Sequence, residues 1–330
     1  MGPTTISLIV DDPCPGLHLY YFHAVRRDPR ALTSDGRPLL QTIPNTMLER
    51  FCDLADEFDL RGKFSIVPRP GAAGSINSAI EGVPVEEMHA WLDLARRRVV
   101  PRFDITPEMI THDWAIDLAT GQPLAENEHD WSQHQTVETL RPYIACALSE
   151  LKQAGFDATG VTSPWHFGID VELAYARAIL EAEQQVYGRQ DTWYFLRSSD
   201  AVDATAEVMI LEPEGTDARR SCVAVLATCG DFIWETMNTP RTDPAQLGAV
   251  ADQYLTADGK SGRIRDLIEG GGEIVLCTHW QSLFSNGTMA GLGVLAEVGR
   301  RVRDTLGDAV QWAKCSDVAA AAVARAGPAI

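Results

Sequence analysis

Short β-branched runs alternate with stretches of helical periodicity along nearly all of this 330-residue chain, and that order constrains the fold more than any single residue. Residues 6–10 form an apolar run closed by Asp11-Asp12-Pro13-Cys14-Pro15-Gly16, the pattern of a buried parallel strand ending in a turn. Residues 46–58 carry Met47, Leu48, Phe51, Leu54 and Phe58 at helical spacing, and residues 63–67, stopped by Pro68, read as a second strand. A weaker strand over 103–111 is interrupted by Pro107, and a clear helix over 136–154 has Gly155 just past its end. Residues 222–228 and 273–278 are strongly apolar strands, and 292–306 is a long amphipathic helix. The alternation predicts an α/β fold, a distorted (β/α) barrel of about seven parallel strands. Without an internal repeat or a break in composition, it is expected to form a single domain over 1–330, with loop insertions near 26–41 and 116–135.

Charge narrows the partners. The 28 basic side chains against 46 acidic ones give a net charge of −18, which opposes binding to phosphate backbones and anionic lipid. The expected partner is a small molecule or an oligosaccharide, with a homo-oligomer left open. No apolar run reaches the roughly 18 residues of a membrane span, and the start of the chain lacks the basic and small-residue features of a secretory signal. Its seven cysteines are scattered without a C-x-x-C pair, as suits reduced thiols. These features together predict a cytoplasmic protein.

On a parallel α/β scaffold the polar residues that directly follow apolar strands face the functional end. Four places qualify: Asp11-Asp12, His112, Asp231 with Trp234, and His279. Two adjacent carboxylates at a strand end repel each other unless a cation intervenes, and a metal ion is the simplest such cation. Asp12 with neutral imidazoles suits zinc or another first-row divalent ion that keeps an open water position, which leaves Asp11 to act as base on that water. The alternative is that Asp11 caps a turn and Asp12 faces solvent. Histidines 112, 129 and 134 cluster in sequence, and His129 and His134 have four residues between them, within reach of one ion. His18 and His23 lie in an aromatic stretch that suits packing or a substrate wall, and His89 falls on the polar side of a helix.

These motifs, in this order, with Phe64-Ser65-Ile66-Val67, Ser163-Pro164-Trp165-His166-Phe167-Gly168 and Leu276-Cys277-Thr278-His279, resemble the polysaccharide deacetylase family with the NodB homology domain. The resemblance implies that Asp11 is the general base, that Asp12, His112 and His129 or His134 bind the metal, and that His279 is the general acid. In that family the two metal histidines normally have three residues between them, whereas His112 and His129 have sixteen, and the arginine of the family's mid-chain loop is missing here. The chain would then be a divergent metal-dependent hydrolase removing an acetyl or related acyl group from an amino sugar or similar amide. Trp165, His166, Asp231 and Trp280 would contact the substrate. Two other functions fit the same barrel: hydrolysis of a non-sugar amide or a glycosidic bond, and sugar binding without catalysis.

Overall fold

The structure, a computed structural model, describes residues 3–214, 218–237 and 240–327. β1 (Thr4–Asp11) ends at the two aspartates. A helix α1 (Leu19–Arg27) and a long irregular connection lead to α2 (Asn45–Glu57) and β2 (Gly62–Ile66). Gly62 lies where a Cβ would meet the Leu8 carbonyl oxygen at 1.8 Å, so only glycine lets β2 approach β1 there. α3 (Val85–Leu94) precedes β3 (Phe103–Pro107), and the strand stops at the proline that the sequence marked as an interruption.

The segment read as a loop insertion from residue 116 contains structure of its own. β4 (Trp114–Ile116) and β5 (Pro123–Asn127) form an antiparallel hairpin, followed by the short helix α4 (Glu128–Ser132). α5 (Val137–Gln153) then leads to β6 (Val161–Thr162), α6 (Glu172–Tyr187) and β7 (Asp191–Ser198). β8 (Glu207–Glu214) pairs antiparallel with β9 (Ala218–Ala227), so this edge strand departs from the all-parallel expectation. Helices α7 (Pro244–Tyr254) and α8 (Arg263–Gly270), β10 (Ile274–His279), α9 (Trp280–Phe284) and α10 (Ala290–Arg301) follow, then β11 (Val310–Trp312) and α11 (Cys315–Ala326).

The result is a mixed α/β molecule with two main sheets. One has the parallel order β10-β1-β2-β3, with β11 beside the start of β1. The other has the order β6-β7-β9-β8. Single parallel bridges connect the sheets, Glu108 just past β3 with Thr162 of β6, and Cys229 just past β9 with Leu276 of β10. Among the described residues no helix is long and apolar enough to cross a membrane.

Side chains alternate across β1 with the two-residue period of a strand. Ile6, Leu8 and Val10 join the large core against the helices, whereas Ile9 joins a second cluster with Trp193, Phe195, Val223, Val225 and Val275. α11 adds Cys315, Val318, Ala319 and Ala322 to that second cluster. Its first turn is anchored by Asp104 of β3, which accepts the Ser316 amide at 2.7 Å and hydroxyl at 3.0 Å. The face of β1 that carries Ser7 and Ile9 also carries Asp11, so that carboxylate lies on the side of the second cluster and not in the large core.

Candidate active site

A cleft of ≈ 430 Å³ opens at the C-terminal ends of the strands, and its lining includes Asp11, Asp12, Glu108, His112, Trp165 and His279. Register brings distant residues together: Asp11 and His279 are direct partners in the β1–β10 ladder. The turns beyond the strands are strained. Asp12, His112, Trp165 and His166 all have left-handed φ, at 66°, 57°, 45° and 68°. Non-glycine residues held there cost of order 1–3 kcal/mol each and persist only where surrounding contacts fix them.

At the floor, Asp12, Glu108 and His112 each offer a ligand atom, and these atoms lie within 4.8 Å of one another. His112 Nε2 stands 2.8 Å from Asp12 Oδ1 and 3.5 Å from Glu108 Oε1. The Asp12 amide donates to Glu108 Oε2 at 2.6 Å, and the Ser65 hydroxyl donates to the same oxygen at 2.7 Å. All three ligand residues are buried. Burial disfavours charge on His112, but the Asp12 charge and hydrogen bond, with Glu108, outweigh it and raise the imidazole to about 10. Burial would raise Asp12 too, but the His112 charge and hydrogen bond prevail and hold it below the usual carboxylate range. Glu108 is pushed up to about 8, first by burial and then by the Asp12 and Asp11 charges. Two carboxylates thus converge on one imidazole nitrogen, where a proton supplies the positive charge. A divalent cation fits the same place and donor set, and this cluster could hold a metal ion.

Asp11 is held separately. Lys63 Nζ bonds Asp11 Oδ1 and also donates to Thr162 Oγ1 at 2.6 Å. The Ser65 hydroxyl lies 3.3 Å from the same Asp11 oxygen. Lys63 is wholly buried and sits over the Phe195 ring at 4.9 Å, so its charge is matched by Asp11 and by the ring face. Cys277 is a buried strand residue with its Sγ 3.9 Å from Asp11 Oδ2.

Beside Asp11 on the neighbouring strand, His279 Nδ1 lies 2.8 Å from Asp231 Oδ2. That carboxylate also receives the His279 amide at 3.1 Å and the Ser282 hydroxyl at 2.9 Å on Oδ2, and the Trp234 amide at 3.1 Å on Oδ1. Burial opposes the imidazolium, but the Asp231 hydrogen bond and the charges of Asp12 and Asp231 raise His279 to about 9. With Nδ1 engaged, Nε2 is the ring nitrogen left for other partners.

Of the residues singled out from sequence, the structure brings Asp11, Asp12, His112, Trp165, His166 and His279 to one cleft. Asp231 stands behind His279, its oxygens already occupied, and so orients an imidazole rather than offering a group to a substrate. Trp280 is not at the cleft. It begins α9 and turns into the core, edge-on to Phe51 and Phe64, with no exposed surface. His129 and His134 are also elsewhere. The His129 ring meets Gln133 at 3.2 Å, and His134 lies half-exposed, 3.4 Å from Glu126. The third donor beside Asp12 and His112 is Glu108, which sequence reasoning passed over. Its signal was present, because Glu108 and His112 have three residues between them, the separation that the resembling family uses for its histidine pair. In the sequence Lys63 stands out only as the first residue of the strand over 63–67.

No family model and no curated protein matches the chain. Among solved structures, a 4-alpha-glucanotransferase from Thermococcus litoralis aligns over 96% of this chain at 13% identity and a TM-score of 0.43. The chain spans 40% of that protein's length. The lactam utilization protein from Thermus thermophilus aligns over 75% of this chain and 87% of its own, at 16% identity and a TM-score of 0.30. Likenesses this weak carry no argument about architecture or chemistry.

Proposed function

We propose that this protein is a metal-dependent hydrolase of the polysaccharide deacetylase type that removes an acetyl or similar acyl group from an amino sugar or related amide. The reading rests on one observation: the Asp12–Glu108–His112 donor set, the Lys63-held Asp11 and the Asp231-held His279 all line or adjoin a single cleft. The two sheets and their two bridges are read here as one distorted barrel whose seven parallel strands are β1, β2, β3, β6, β7, β9 and β10.

A divalent ion, zinc or another first-row metal, held by Asp12, Glu108 and His112 would supply a water of lowered pKa and a Lewis acid for the substrate carbonyl. Asp11, oriented by Lys63 and Ser65, accepts the proton of the attacking water. The Asp231 carboxylate, bonded to His279 Nδ1, favours the protonated imidazole, and His279 donates its proton to the departing amine. Tyr20 and Trp165 line the same cleft with exposed rings, and Trp234 stands edge-on to both Tyr20 and His279, which suits the flat apolar faces of a sugar. Metal-free glycosidic cleavage by two carboxylates is less well supported, because Glu108 is only 2% exposed and its Oε2 already accepts two hydrogen bonds.

The test is acetate release from N-acetylated amino sugars by protein stripped with a chelator and then reloaded. Activity lost on stripping and regained with Zn2+, Co2+ or Mn2+ is expected. Hydrolysis that ignores the chelator, or a chain that binds none of these ions, refutes the assignment.

A further inference from the structure

This inference rests on the reading of Asp12, Glu108 and His112 as metal ligands, and concerns what holds His112 in place. The turn from Pro107 to His112 contains no glycine, yet Met109 and His112 both take left-handed φ, 43° and 57°. Something outside the turn has to impose that shape. Three consecutive amides of this turn end on one carboxylate: Ile110 and Thr111 N–H each donate to Glu128 Oε1 at 3.0 Å, and His112 N–H donates to Oε2 at 2.8 Å. The Tyr143 hydroxyl adds a fourth donor, to Oε1 at 2.7 Å. In return the Glu128 amide donates to the Asp113 carbonyl at 2.7 Å, so the turn and the start of α4 grip each other from both sides.

Glu128 has no exposed surface, and no basic side chain bonds its carboxylate among the described hydrogen bonds and ion pairs. A buried carboxylate satisfied mainly by backbone amides fixes where those amides go. The chemistry also demands a carboxylate. Four donors converge on two oxygens, and a glutamine of the same shape has only one oxygen and would turn its own N–H2 towards either the His112 amide or the other donors. The segment containing His129 and His134 therefore does connect to the site, through the backbone and the neighbouring Glu128 rather than through an imidazole.

We propose that Glu128 is a positioning residue of the metal centre: its carboxylate shapes the 110–112 turn and so sets where His112 Nε2 meets the donors of Asp12 and Glu108. The test measures Zn2+ affinity of the full chain by competition with a chromophoric chelator, alongside far-UV circular dichroism and thermal melting. Glu128→Gln is expected to weaken Zn2+ binding on the order of 10- to 100-fold while the protein remains folded, as for residues that orient metal ligands. Tyr143→Phe removes one donor and leaves the three amides bound, so it should lower the melting temperature with Zn2+ affinity close to wild type. A role confined to stability predicts lower melting temperatures for both variants and wild-type Zn2+ affinity for both, and that result overturns the proposal. Should Glu128→Gln fail to fold, Glu128→Asp, which keeps the charge but draws it back from the amides, is measured in the same way. Weakened affinity there supports the proposal, and unchanged affinity overturns it. A wild-type chain that binds no Zn2+ removes the metal reading and this inference together, whereas equal binding by wild type and Glu128→Gln removes this inference alone.

Discussion

The two ends of the strands use the same face of the sheets for opposite purposes. Towards the end covered by α11, Ile9, Val223 and Val275 join Val318, Ala319 and Ala322 in an apolar cluster. Two residues further along β1 the same face carries Asp11, with Lys63, Ser65, Glu108 and His279 around it, and the interior becomes a buried charge network. One end gains hydrophobic burial, and the other gives it up. A buried ion pair is a poor source of stability compared with apolar packing of similar volume, so the charged end points to chemistry and the apolar end to cohesion.

The largest expected effect that breaks this contrast is loss of a ligand at the charged end. Asp12→Ala and Glu108→Ala should each strip the metal and reduce amide hydrolysis to background, with metal content read by elemental analysis; a variant that keeps full stoichiometry removes its residue from the centre. Asp11→Asn should keep the metal and lose turnover on the order of 10²- to 10⁴-fold, the usual cost of a missing general base. An Asp11→Asn protein that is also empty of metal would make Asp11 a ligand instead.

Stability separates the two ends next. Ile9→Ala should cost about 2–5 kcal/mol in denaturant unfolding, through lost burial and a cavity, and leave turnover per folded molecule unchanged. Lys63→Met leaves Asp11 charged and unpaired in the interior, at about 3–5 kcal/mol. Combined with Asp11→Asn it should recover most of that stability and none of the activity. Recovery of activity in the double variant contradicts the role given to Asp11.

The pH profile is the finest of these comparisons. His279 is raised from the usual imidazole value near 6.5 to about 9, with burial opposing the charge and Asp231 overcoming it. Because its folded value lies above its unfolded one, the stability contributed by the pair is complete below about 6.5 and is lost as pH rises through about 9. Turnover of an amide that needs a protonated acid should fall over the same range. Asp231→Asn should move that alkaline limb towards 6.5, and an unmoved limb would assign it to another group.

Much of this arrangement is legible in the sequence. Asp11, Asp12 and His279 stand where apolar strands stop, and parallel strands in register bring such residues to one end. The helical stretches over 46–58 and 136–154 match α2 and α5 because their apolar spacing is long and regular. Short segments are less informative. Nothing in the period of residues 208–211 distinguishes a parallel from an antiparallel partner, and the β4–β5 hairpin has too few residues to show a pattern. Lys63 was hidden because a lysine in a strand reads as solvent-facing unless its neighbours in the sheet are known. Glu108 was hidden by Pro107, which draws attention to the end of a strand and away from the carboxylate that follows. His129 and His134 were attractive by spacing alone, but their part of the chain turns Glu128 inwards and the imidazoles outwards.

The most direct test of the central claim is anomalous X-ray scattering at the zinc edge from crystals of the zinc-loaded protein. A metal centre on Asp12, Glu108 and His112 predicts one strong peak in the cleft, bounded by the two carboxylates and His112 Nε2. A peak at His129 or His134, or no peak between these three residues, contradicts it.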